Sequence, residues 1–151
     1  MGKADIVREL AADIESGDVK ALSGFLHEDF STEEFFPESM GKEHFLLYVQ
    51  ALKKSFPDMS LNMKVIAEGS SSVRGLFSWC GTHTRDLDLP FAGIPKVPPT
   101  GIAVALPREP VDFVFTGDKI MKIRFETASD GDFRGILKQL GAGFEGDEPA
   151  V

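Results

Sequence analysis

The chain opens with a helical period. Ile6, Leu10 and Ile14 recur at helical spacing, with Val7 and Ala11 beside them, and this stripe predicts an amphipathic helix. Ser16-Gly17-Asp18 stops it and offers a cap to the next helix, which runs through Val19, Leu22, Phe25 and Leu26. Residues 27–40 hold His27-Glu28-Asp29-Phe30 and Phe35-Phe36-Pro37 and read as a connection. A third helix starts near Gly41, lines up Phe45, Val49, Leu52 and Phe56 on one face, and ends at Pro57.

The period then changes to two. Leu61, Met63, Val65 and Ala67 alternate with polar neighbours, Gly69-Ser70-Ser71 supplies a turn, and one long strand is expected from Ser72 to Thr84. Residues 85–100 are rich in Pro and Gly (Pro90, Gly93, Pro95, Pro98, Pro99) and read as a loop. Ile102, Val104 and Leu106 resume the alternation until Pro107 and Pro110 interrupt it. Val111–Thr116 and Lys119–Thr127 make a hairpin across Gly117-Asp118. Phe133, Ile136, Leu137 and Leu140 mark a last helix, with Asp132 as its N-cap and Gly141 at its C-terminal end. Helices followed by an antiparallel meander give an α+β fold. A sheet that curls around those helices leaves a cone-shaped cavity.

The 151 residues suit a single domain, 1–151, with a core over 5–141 and a small, acidic tail over 142–151 that is expected to fray. A net charge of −8 disfavours nucleic acid and anionic membrane surfaces as partners, since both need clustered Lys and Arg. The lone Cys80 makes no intramolecular disulfide and no cysteine-rich metal site, and the spacing of His27, His44 and His83 suggests no metal motif. The N-terminus lacks the apolar core of a signal peptide, and no apolar run approaches the roughly 18 residues of a membrane span. A cytoplasmic location is therefore expected. Thirteen Phe against one Trp and one Tyr predict an interior, and any pocket in it, that is apolar with few donors.

Five segments resemble the SnoaL-like polyketide cyclase family of the nuclear transport factor 2-like superfamily. They are Ser55-Phe56-Pro57-Asp58, Trp79-Cys80-Gly81-Thr82-His83-Thr84, Pro98-Pro99-Thr100-Gly101, Asp118-Lys119-Ile120 and Leu137-Lys138-Gln139-Leu140-Gly141. The resemblance implies a cone-like α+β barrel, a homodimer, and a hydrophobic pocket for a small hydrophobic ligand. It also implies ring closure by aldol condensation or a related isomerisation, with no metal or cofactor and a pocket acid or His moving the proton. Where active cyclases carry an acid and a His-Trp pair, this chain has Val111 and Ile123-Arg124. A non-catalytic binding module and a dimeric interaction module therefore stand beside the cyclase or isomerase reading.

Strand parity selects the pocket candidates. Val73, Gly75, Phe77, Trp79, Gly81 and His83 share one face, Val111, Phe113 and Phe115 another, and Met121, Ile123 and Phe125 a third. Tyr48 reaches the same space from the third helix, a turn from His44. The expected ligand-binding set is Tyr48, Phe77, Trp79, Phe113, Phe115, Ile123 and Phe125. For proton transfer His83 comes first, because imidazole titrates near neutrality. Asp112 comes second, out of phase with its aromatic neighbours. Two roles fit His83: a base at the cavity rim, or a ring that bonds the proline-rich loop and holds it. Asp112, Arg124 and Glu126 suit cross-strand pairing on the outer face of the sheet. Leu87, Leu89, Phe91, Ile94 and Val97 suit either a lid or a dimer contact.

Overall fold

The computed structural model describes residues 2–33, 39–89, 96–126 and 133–141. The expectations for Phe35-Phe36-Pro37, for Pro90 to Pro95, for the Asp132 cap and for the tail lie outside the described residues.

Helix α1 spans Lys3–Ser16 and buries Ile6, Val7, Leu10 and Ala11. Gly17 ends it in the left-handed region (φ 74°), where a side chain is strained, and its N–H turns back to the helix carbonyls. Asp18 caps α2 (Val19–Phe25) by accepting from the Ala21 N–H. Helix α3 (Lys42–Ser55) buries Phe45, Tyr48, Val49 and Leu52 along one stripe, and Phe56 caps its end. Helix α4 (Phe133–Gln139) closes the fold. No helix among the described residues is long and apolar enough to cross a membrane.

The strands are β1 (Leu26–Glu33), β2 (Lys64–Glu68), β3 (Ser72–Phe77), β4 (Cys80–Thr82), β5 (Ala103–Ala105), β6 (Glu109–Thr116) and β7 (Lys119–Phe125). A curved five-stranded sheet has the order β1-β7-β6-β3-β2, and β4 and β5 form a small second sheet. All pairs are antiparallel except β1 with β7.

Two expectations are corrected here. Residues 26–33, read partly as connection, form β1, which lies parallel along the edge of β7. Its charged sequence hides an alternation in which Leu26, Phe30 and Thr32 point inward. The long strand to Thr84 is two strands, because the chain leaves the main sheet at Ser78-Trp79. There Ser78 N–H donates to Leu61 O (2.8 Å), and Leu106 N–H donates to Trp79 O (2.8 Å). Parity survives the break. Val73, Gly75, Phe77, Trp79, Gly81 and His83 are all buried, and the residues between them are more exposed. The inner face of the curved sheet and the buried stripes of the helices share one hydrophobic core.

Candidate functional site

A cavity of about 80 Å³ lies between the helices and the sheet. Helices α1 and α3 contribute Leu10, Ile14, Phe45, Tyr48, Val49 and Leu52 to its wall, and α4 contributes Phe133 and Ile136. The sheet side carries Phe77, Val111, Phe113, Ile123 and Phe125, with Trp79, Leu106, Leu61 and Met63 where the chain changes sheets. Edge-to-face ring pairs brace this wall: Tyr48 with Phe133 (centroids 5.5 Å apart) and Phe77 with Phe125 (5.8 Å).

Six of the seven expected binding residues meet here: Tyr48, Phe77, Trp79, Phe113, Ile123 and Phe125. Phe115 does not. It is buried on the same face of β6, but farther along the strand, with the Lys3 ammonium 5.8 Å from its ring centre. Tyr48 and His44 part company, Tyr48 buried in the wall and His44 exposed. Leu10, Ile14, Met63, Phe133 and Ile136 were not expected, and Val111 stood on the expected face without being named in the binding set. Val111 was legible from its phase with Phe113, whereas only the docking of α1 and α4 brings their apolar stripes to this space.

Neither residue expected to move protons lines the cavity. Asp112 is on the outer face of the sheet, where both its carboxylate oxygens accept from Arg74 Nη1 (3.0 and 2.9 Å). Arg74 also pairs with Glu126, and beyond Asp112 the row continues through Arg124 to Glu33, which also holds Lys122 at 2.7 Å. The Lys122 and Arg124 hydrogen bonds hold the Glu33 carboxyl below its ordinary pKa of 4.5.

His83 is fully buried behind Phe56, its ring 5.2 Å from that of Phe56, which in turn packs edge-on against Trp79 (4.8 Å). Thr100 N–H donates to His83 Nδ1 (3.3 Å), and the Thr100 hydroxyl lies 3.0 Å from the same atom. Because Nδ1 accepts from the backbone, we assign the neutral tautomer with its proton on Nε2. Nε2 is buried and has no hydrogen-bond partner among the described residues. Burial pushes the His83 pKa below 6.5, and the Arg85 main chain and the Asp86 carboxylate oppose the shift.

The segments that carried the resemblance are cross-braces. Ser55 Oγ donates to Asp86 O (2.7 Å), and Ser55 O accepts from Thr84 N–H (3.0 Å). Asp58 accepts from Thr82 N–H (2.7 Å) and Thr82 Oγ1 (2.8 Å), and these bonds lower its pKa from 3.8. His83 holds Thr100, and Gly101 N–H donates to His83 O (2.8 Å). Gln139 bonds both polar groups of the Ala105 backbone (3.0 and 2.8 Å), and Lys119 Nζ reaches Gly24 O. At Gly81 a Cβ would fall 2.9 Å from Phe56 Cβ, so only glycine lets α3 approach β4 this closely.

In the loop after Thr84, Leu87 and Leu89 are buried in the main core, and Leu87 bridges to Val97. Those described parts are packed into the body of the domain. No group of three or more His, Cys, Asp or Glu suited to a metal occurs among the described residues.

Four helices, a curved sheet around them and an apolar hollow between the layers define the cone-like α+β class that also contains the nuclear transport factor 2-like proteins. The fold is that of SnoaL-like polyketide cyclase structures. A "putative polyketide cyclase" from Xanthomonas campestris pv. campestris superposes with TM-score 0.70 at 18% identity, over 91% of this chain and 96% of that one. IdmH, a "putative polyketide cyclase" from Streptomyces antibioticus, gives TM-score 0.68 at 20% identity, over 94% and 100%. AclR, a "putative hydroxylase" from Streptomyces galilaeus, gives 0.68 at 18%, over 92% and 95%. No family model matches the chain, and no curated protein matches it. At these identities the likeness establishes the fold alone.

Proposed function

We propose that the protein binds a small hydrophobic molecule in the cavity. The observation that carries this reading is the wall itself, which is apolar or aromatic on the sides contributed by α1, α3, α4 and the sheet. Burial of apolar ligand surface against such a wall is favourable by about 25 cal/mol per Å². Trp79 adds a buried indole N–H that has no hydrogen-bond partner among the described residues. Proton-transfer chemistry would need a titratable group in contact with the substrate. Among the described wall residues Tyr48 alone can ionise, and His83 stands one ring behind the wall. These placements favour a binding role over aldol cyclisation. The proposal keeps the cytoplasmic homodimer of the sequence reading, with sedimentation as the check on assembly.

The test uses the single tryptophan, Trp79, which sits in the wall. Titration with a neutral aromatic such as toluene should shift its emission to shorter wavelength with saturation and raise the melting temperature. Val111→Phe, which fills the cavity, should remove both responses while the variant stays folded by circular dichroism. A wild-type protein that responds to no hydrophobic compound, or a variant that responds equally, would refute the proposal.

A further inference from the structure

We infer that the ligand is a neutral molecule that places one ring, or a branched chain of similar bulk, in the cavity, and that Met63 sets this size limit. The inference rests on the binding reading above and names the class of molecule it would serve.

Volume comes first. Pockets for drug-sized ligands measure roughly 300–1,000 Å³, and an engineered apolar cavity of about 150 Å³ is enough for benzene. The cavity here is about 80 Å³, so even one ring enters only if part of the wall yields. Most of the wall is held in place. Trp79 is wedged between Phe56 and Gly81, and Tyr48 is braced on Phe133. The partly exposed wall residues are Ile14, Met63 and Phe125. Phe125 is held edge-on by Phe77, and Ile14 is anchored on α1, next to Glu15, whose carboxylate accepts from Leu61 N–H at 2.7 Å.

Met63 is different. Its unbranched thioether has three soft torsions, so it can vacate space at small cost. Its Sδ rests over Gly75, where a Cβ would fall only 2.9 Å away. It therefore covers a bare patch of β3 backbone beside Val111 and is the side chain that an entering ring displaces.

Charge comes second. Among the described residues of the wall there is no Lys, Arg, His, Asp or Glu, so an ionised ligand would be buried there without a counter-ion. The chain's net charge of −8 adds to the penalty for anions.

Melting temperature and Trp79 emission, read with toluene, methyl benzoate, benzoate and anthracene, test the inference on the intact protein. Toluene and methyl benzoate should bind, benzoate at least ~100-fold more weakly than its ester, and anthracene at least ~10-fold more weakly than toluene. Met63→Ala should retain toluene and gain naphthalene binding by at least ~10-fold. Anthracene binding as tightly as toluene, or benzoate matching its ester, would overturn the inference and leave hydrophobic binding standing. Failure of all four probes on the wild-type protein would overturn both. Equal naphthalene affinity in wild type and Met63→Ala would remove Met63 as the limit, and Met63→Leu, which keeps the bulk, should then match wild type as well.

Discussion

Removing the ring of Phe56, which stands outside the cavity wall, should cost as much stability as removing a large ring from the wall itself. Phe56 is completely buried at the end of α3 and touches three things at once. Its ring meets Trp79 edge-on at 4.8 Å and lies 5.2 Å from the His83 ring, and its Cβ passes close above Gly81. Phe→Ala at a buried site costs about 3–5 kcal/mol, through lost transfer energy and the void left behind. The ring contact with Trp79, roughly 0.5–1.5 kcal/mol, is part of that cost. A total of about 4 kcal/mol is a large share of the ~5–15 kcal/mol that holds a domain together. It should lower the melting temperature by roughly 8–16 °C in a chain of this size. Urea denaturation followed by Trp79 emission and by far-UV circular dichroism measures the loss with two probes. The emission of folded Phe56→Ala should also move to longer wavelength, because the indole loses one of its covers. A loss under ~1.5 kcal/mol with unchanged emission would mean that Phe56 does not lock α3 to the β4 region, and the account of the cross-braces would fail.

Three further outcomes follow from the same structure. His83 has a depressed pKa in the fold, so its contribution to stability is constant above about 6.5 and declines as pH falls below that value, where the unfolded chain takes up the proton first; His83→Gln should flatten that part of a melting-temperature profile, and an unchanged slope would count against the neutral buried ring. Asp58 and Glu33 also have depressed pKa values, so a second decline should appear under acid conditions below their ordinary 3.8 and 4.5, and Asp58→Asn should weaken it. Ser55→Ala leaves the Asp86 carbonyl without its donor and should cost about 1–2 kcal/mol in chemical denaturation, whereas Arg74→Ala, on the exposed charge row, should cost less than Ser55→Ala and lose its effect in about 1 M salt.

Legibility followed the strength of local pattern. Helices α1 and α3 were readable because Ile6-Leu10-Ile14 and Phe45-Val49-Leu52 repeat at the helical period, with caps at Gly17 and Gly41, and Asp18 marks the start of α2. Strand β1 was not readable. His27 to Glu33 has few β-formers, and its pairing depends on the edge of β7, far along the chain. Parity predicted the buried face from Val73 to His83 even though the strand breaks in the middle. What parity cannot supply is position along the cone. His83 and Phe115 are on the inward faces, as expected, yet one lies behind Phe56 and the other beyond the end of the cavity. A period of two assigns a face, and only the curvature of the sheet decides which residues on that face look onto the hollow.

The five segments that resemble SnoaL-like cyclases have a common property in the structure: the side chains that distinguish them bond to backbone or to one another across element boundaries. Asp58 holds Thr82, Ser55 holds Asp86, His83 holds Thr100, Gln139 holds Ala105, and Lys119 reaches Gly24. Each such bond fixes the approach of two elements, so it constrains which residues can stand there wherever the cone is built this way. The wall of the cavity is under a different constraint. Any apolar side chain of suitable bulk keeps the fold, as Val111 and Ile123 do here. A resemblance carried by braces therefore transmits the architecture and is silent about the chemistry. For this chain the chemistry has to be read from the residues between the braces, and the described ones form an aromatic and aliphatic wall in which Tyr48 is the ionisable side chain.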